Sequence, residues 1–115
     1  RIMVQMSGEV VFSNLRNPPS RIKRNLKRRV RSWVYQHDKE FEKGGLYYSV
    51  KFERHQDPDT QVNAGIDCQV NIISDECFLV GNEMGGNFPQ ALSRCLGNMI
   101  PVSELDLIGK EMVWV

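Results

Sequence analysis

A chain of 115 residues with 41% hydrophobic and 25% charged side chains sits near the commonest domain size, with enough apolar content for a core and too much for a disordered tail. The formal net charge of +1 conceals a division, because residues 1–45 carry 11 Lys/Arg against 4 Asp/Glu while residues 46–115 carry 4 against 10. Cys68, Cys77 and Cys95 show no C-x-x-C spacing and have no histidine near them in sequence, which argues against a disulfide framework or a zinc site, and no stretch approaches the ~18 apolar residues of a membrane span.

The chain opens on a β-prone run in which Ile2, Val4 and Met6 alternate with Met3 and Gln5, and Val10-Val11-Phe12 follows Ser7-Gly8. This predicts a first strand with a bulge at Gly8. Ser13 to Ser20 holds two Asn and Pro18-Pro19, which forbids regular structure and leaves Ser20 as the expected N-cap of a helix.

That helix is predicted to reach about Lys43, with Gly44-Gly45 closing it. Ile22, Leu26, Val30, Trp33, Val34, His37 and Phe41 fall on one side at 100° per residue, a stripe for the core. Arg21, Arg24, Lys27, Arg28 and Arg31 fall on the opposite arc, and Tyr35 falls there too. Residues 21–31 pack seven cations into eleven positions, Lys23 among them, and no acidic residue stands between Val10 and His37. Without interleaved Glu to pair at i,i+4, the arc is cationic outright, and a polyanion, RNA first, is its expected partner.

Leu46 to Glu53 is a strand with Tyr48, Val50 and Phe52 on one face, and the polar stretch Arg54 to Gly65 is expected to be a turn or long hairpin loop. Ile66, Cys68, Val70 and Ile72 alternate inward on the next strand, and Ser74-Asp75-Glu76 leads tightly into Cys77 to Gly81, completing a three-strand antiparallel meander. Gly85-Gly86-Asn87 then precedes a second helix with Asn87 as its cap, Pro89 in its first turn, and Phe88, Ala91, Leu92, Cys95, Leu96 and Met99 as its buried face. Pro101 ends it, Ser103-x-x-Asp106 is a candidate start for a short third helix, and Met112 to Val115 is an apolar tail.

The expected fold is therefore α+β, ordered β-α-β-β-β-α, an antiparallel sheet with two helices packed on one face. It forms a single domain over residues 1–115, with a core at 2–100 and a C-terminal extension at 101–115. The cysteines are expected to be small buried hydrophobes in a reducing compartment, and the chain to be cytoplasmic or inside an organelle.

This order resembles the ribosome hibernation-promoting factor and protein Y family, also called the sigma-54 modulation proteins. The residues that carry the resemblance are Ser7-Gly8 in the opening strand, the helix from Ile22 to Phe41, Val50-Lys51-Phe52-Glu53-Arg54-His55, the strand pair before Asn87, and the helix Phe88-Pro89-Gln90-Ala91-Leu92-Ser93-Arg94-Cys95-Leu96. What the resemblance implies is a cytoplasmic protein that binds ribosomal RNA of the small subunit near the decoding region and silences idle ribosomes, using basic residues of both helices. On this chain those are Arg21, Arg24, Lys27, Arg28 and Arg31, with Arg94 alone on the second helix.

The residues by themselves leave other readings open. The basic helix also suits an acidic protein partner, or any RNA duplex without preference for ribosomes. Tyr35, if exposed, suits stacking on an unpaired base, although amphipathic packing is the commoner role of a helix-surface tyrosine. Catalysis is not expected: His37 reads as a hydrogen-bonded core histidine, His55 as a surface residue beside acids, and Gly85-Gly86-Asn87 as a strand-to-helix turn rather than a phosphate cradle. No metal or other cofactor is expected.

Overall fold

The computed structural model describes residues 5–37, 44–56, 59, 63–75 and 78–99. The first strand, β1, spans Gln5–Ser13, the first helix, α1, Ser20–Gln36, and three strands follow: β2 at Gly45–Gln56, β3 at Asn63–Ser74 and β4 at Phe78–Gly85; α2 at Phe88–Gly97 comes last. The four strands form one sheet in the order β1-β2-β3-β4. The expected third helix, the tail Met112–Val115 and the helix positions 38–43, Phe41 included, lie outside the described residues.

The sheet is mixed, not wholly antiparallel as the sequence suggested. β1 runs parallel to β2, with Val10 opposite Val50 and Phe12 opposite Phe52, while β2-β3 and β3-β4 are antiparallel. The reason is connectivity: β1 and β2 are neighbours joined through α1, and a helical crossover returns the chain in the direction it started. No register shift interrupts β1, so Gly8 is not a bulge. Its missing Cβ makes room for the Tyr48 ring, whose carbon atoms lie 2.5 Å from where a Cβ would stand.

Strand reaches into the expected loop from Arg54 to Gly65 at both ends, because β2 continues to Gln56 and β3 starts at Asn63, with an irregularity at His55/Gln56. Gly65 has φ +122°, and a Cβ there would lie 2.9 Å from the Gly85 carbonyl oxygen. Only glycine fits that close approach without strain.

Period-two burial gives the sheet one covered face. Leu46, Tyr48, Val50 and Phe52 of β2, Cys68, Val70 and Ile72 of β3, and Leu79 of β4 are buried, as is Val10 of β1. They meet Leu26, Val30, Trp33 and Val34 of α1, and Ala91, Leu92, Cys95 and Leu96 of α2, in a single core. Phe12, Phe52 and Phe88 close one end of it, with ring centroids 5.0–5.5 Å apart. Cys68 and Cys95 are buried near one another as free thiols; their mutual interaction and burial push Cys68 upward, and the same interaction lowers Cys95.

The helix starts differ. At α2, Asn87 is the cap as expected: its side-chain oxygen accepts from Gln90 N–H at 2.8 Å, and Gln90 Oε1 accepts from Gly86 N–H at 2.6 Å. At α1 the cap position belongs to Pro19 rather than Ser20, which is already helical, and no side chain caps the start. The Pro19 carbonyl accepts from Ile22 N–H at 2.9 Å instead. No described helix is long and apolar enough to cross a membrane.

Candidate nucleic-acid interface

The core stripe of α1 fixes which of its cations face outward. With Leu26, Val30, Trp33 and Val34 sealed against the sheet, Arg21, Arg24, Arg28 and Arg31 are exposed on the far side and Lys27 is half-buried at its margin. Arg24, Lys27, Arg28 and Arg31 line one shallow groove. Arg24, Arg28 and Arg31 follow one another at about one helical turn, roughly 5 Å along the axis, with Lys27 beside Arg28. None of these five side chains makes an ion pair among the described residues, and no acidic side chain occupies the first turn of α1. Tyr35 stands on the same face, 40% exposed.

Beneath Arg31 lies Tyr48, whose ring is only 1% exposed and whose hydroxyl is close enough to feel the guanidinium charge. Burial raises the ionisation of that phenol above the ordinary tyrosine range, and the adjacent Arg31 charge offsets part of the rise.

Two expected members lie elsewhere. Lys23 turns toward β1, where its Nζ sits 5.6 Å from the Phe12 ring centroid, a cation–π contact. Arg94 projects from the side of α2 away from α1, and its Nη1 donates to the Met84 carbonyl at 3.1 Å. The structure therefore groups Arg21, Arg24, Lys27, Arg28, Arg31 and Tyr35, and leaves Lys23 and Arg94 apart from them.

Sequence reasoning also missed a cleft between the two helices. Its floor is Ile22, Leu26, Trp33 and Leu96, and Arg28 and Arg29 stand on its rim. Arg28 lines both this cleft and the cationic groove. The wheel angle of Arg29, between the apolar stripe and the cationic arc, was the available signal, but its meaning depends on where α2 lies.

The histidines match their expected roles. His37 is half-buried, its Nδ1–H donates to the Trp33 carbonyl at 2.9 Å, and its ring stacks on Trp33 with centroids 4.3 Å apart. His55 is exposed on β2. Among the described residues no three His, Cys, Asp or Glu side chains gather as a metal site would require.

The face of the sheet away from the helices is different in kind. Tyr47, Ile73 and Phe78 stand in one row across β2, β3 and β4, with Val80 beside them, all 41–58% exposed. Burial and the nearby Glu9 carboxylate raise the ionisation of the Tyr47 phenol above the ordinary tyrosine range, and Lys51 pairs with Glu53 at 3.8 Å. Asp67 accepts from Asn82 at 3.3 Å on the same face. Cations thus mark the helical layer, and acids with apolar groups mark the open sheet.

No protein-family model, no curated protein and no solved structure matches this chain. Guanidinium groups repeating at one-turn intervals present planar forks able to bond phosphate oxygens in pairs, and a ridge of them suits a polyphosphate backbone.

Proposed function

We propose that this protein is a non-enzymatic RNA-binding protein that associates with the small ribosomal subunit through α1 and inhibits translation by occupancy, in the manner of the hibernation factors it resembles. One observation carries the proposal: five cations on one face of α1, none paired with an acid among the described residues. Lone cations in a row lower stability through mutual repulsion, and a polyanionic ligand that neutralises them relieves it. The cytoplasm, where idle ribosomes are met, is the site of action that follows from this reading.

The test is co-sedimentation with purified small ribosomal subunits, at low and physiological salt, with and without excess unrelated structured RNA. The expected result is retention despite competitor. Complete loss to competitor leaves a general RNA binder, and no binding even at low salt moves the assignment to an acidic protein partner. Five phosphate contacts give an expected log-log salt slope of about −3.5 to −4.5. Arg24→Glu with Arg28→Glu should abolish binding while the folded signature by circular dichroism persists; unchanged RNA affinity in that folded variant would overturn the α1 surface.

A further inference from the structure

We infer that the cleft between α1 and α2 is a slot for one unpaired nucleobase, filled while the neighbouring phosphates lie on the cationic groove. The inference rests on the RNA-binding reading and names the part of the RNA that the site recognises. A paired duplex presents only backbone and base edges to a helix face. An apolar recess beside a phosphate-binding ridge offers something more, a surface that rewards a base turned out of its stack.

Three observations carry it. The floor is apolar and partly aromatic, since Ile22, Leu26, Trp33 and Leu96 line it, which suits the face of a base. Around that floor stand Asn25, Ser32, Gln36 and Ser93, four polar side chains that have no hydrogen-bond partner among the described residues. Amides and hydroxyls of this kind donate and accept, as the edge of a base requires. Finally, Arg28 lines the cleft and the cationic groove together, so one guanidinium marks the place where a backbone on the ridge would pass the mouth of the slot. Arg29 adds a second cation on the cleft side of the helix.

The charge of the rim selects this occupant over an acidic peptide's apolar side chain. The rim supplies cations and hydrogen-bonding groups together around a flat floor, and a nucleotide alone brings a planar heterocycle with polar edges and an anionic phosphate on the same unit.

The experiment measures the affinity of the full chain for three RNA hairpins of identical stem: one fully paired, one with a single bulged adenosine, and one with an abasic residue at the bulge. The abasic hairpin keeps the bent backbone and the phosphate and lacks only the base. The expected result is about tenfold tighter binding of the adenosine bulge than of the abasic one, the size of one stacked base. Two variants fill the slot from α2. Ser93 is exposed, and nothing lies within 4 Å of a Cβ built at Gly97, so Ser93→Trp and Gly97→Leu should each fold. In both, the ratio of adenosine-bulge to abasic-bulge affinity should fall to about one.

Equal affinity for the two bulges in the unmodified protein would overturn the slot while leaving RNA binding by α1 intact. Survival of the preference in both filled variants would place base recognition elsewhere and overturn it equally. Failure of all three hairpins to bind at low salt would overturn the slot together with the reading beneath it.

Discussion

The contact among Gly8, Tyr48 and Arg31 shows how one residue's needs propagate. Tyr48 fits its ring into the space that Gly8 leaves open and brings its hydroxyl near a surface guanidinium. Removing the hydroxyl with Tyr48→Phe should cost about 1 kcal/mol of stability at neutral pH, the worth of the polar interactions that a buried hydroxyl makes, read from urea denaturation. The same variant tests the ionisation. An unfolded tyrosine loses its proton near pH ~10, whereas the folded Tyr48 holds its proton to higher pH. Above about pH 10 the unfolded chain therefore binds fewer protons than the folded one, and stability falls as pH rises toward the folded value. The advantage of the wild-type protein over Tyr48→Phe should be constant below that pH and narrow above it.

At the scale of elements, α1 carries a conflict between its start and its surface. The N-terminal end of a helix is partially positive, yet its second residue is Arg21 and its fifth Arg24, with no acid in the first turn. Arg21→Glu should therefore stabilise the protein by about 0.5 kcal/mol, raising Tm by about 2 °C, while weakening RNA binding severalfold. A gain in Tm without loss of RNA affinity would show that Arg21 stands outside the interface. The α1 face was legible because Ile22, Leu26 and Val30 recur every four residues and the cations fill the opposite arc. The meander was legible from the alternation of Tyr48, Val50 and Phe52 and of Cys68, Val70 and Ile72. The parallel pairing of β1 was not, because alternation toward a core reads the same whichever way a strand runs. Nor was the direction of Arg94, since the side of α2 that meets α1 is decided by packing between elements distant in sequence. Gly8 illustrates a further limit: a glycine that relieves a bulge and a glycine that admits a ring look identical in a sequence.

Across the whole molecule, charge and apolar surface are sorted onto opposite layers. An approaching polyanion meets the cations of α1 while the acids of the open sheet face away, so the protein arrives already oriented and its association rate should fall steeply with salt. The open sheet carries a separate hazard. Phe78 is 58% exposed and stands in a row with Ile73 and Tyr47. Phe78→Ser should cost about 1–2 kcal/mol, because about two-fifths of the residue is covered, and should lower light scattering at high protein concentration.

The parallel pairing of β1 has a consequence in time. β2, β3 and β4 pair with strands next to them in sequence, but Val10 and Val50, which lie opposite one another, are separated in sequence by the whole of α1. Closing so long a loop is entropically expensive, so the meander is the natural nucleus and β1 joins it late. Gly8, beneath the Tyr48 ring, then belongs to the last part of the chain to settle. Gly8→Ala should cost about 1–3 kcal/mol by crowding that ring, and nearly all of the cost should appear as faster unfolding with the refolding rate almost unchanged. The strand that begins the sequence is on this account the final one to fold and the first to leave.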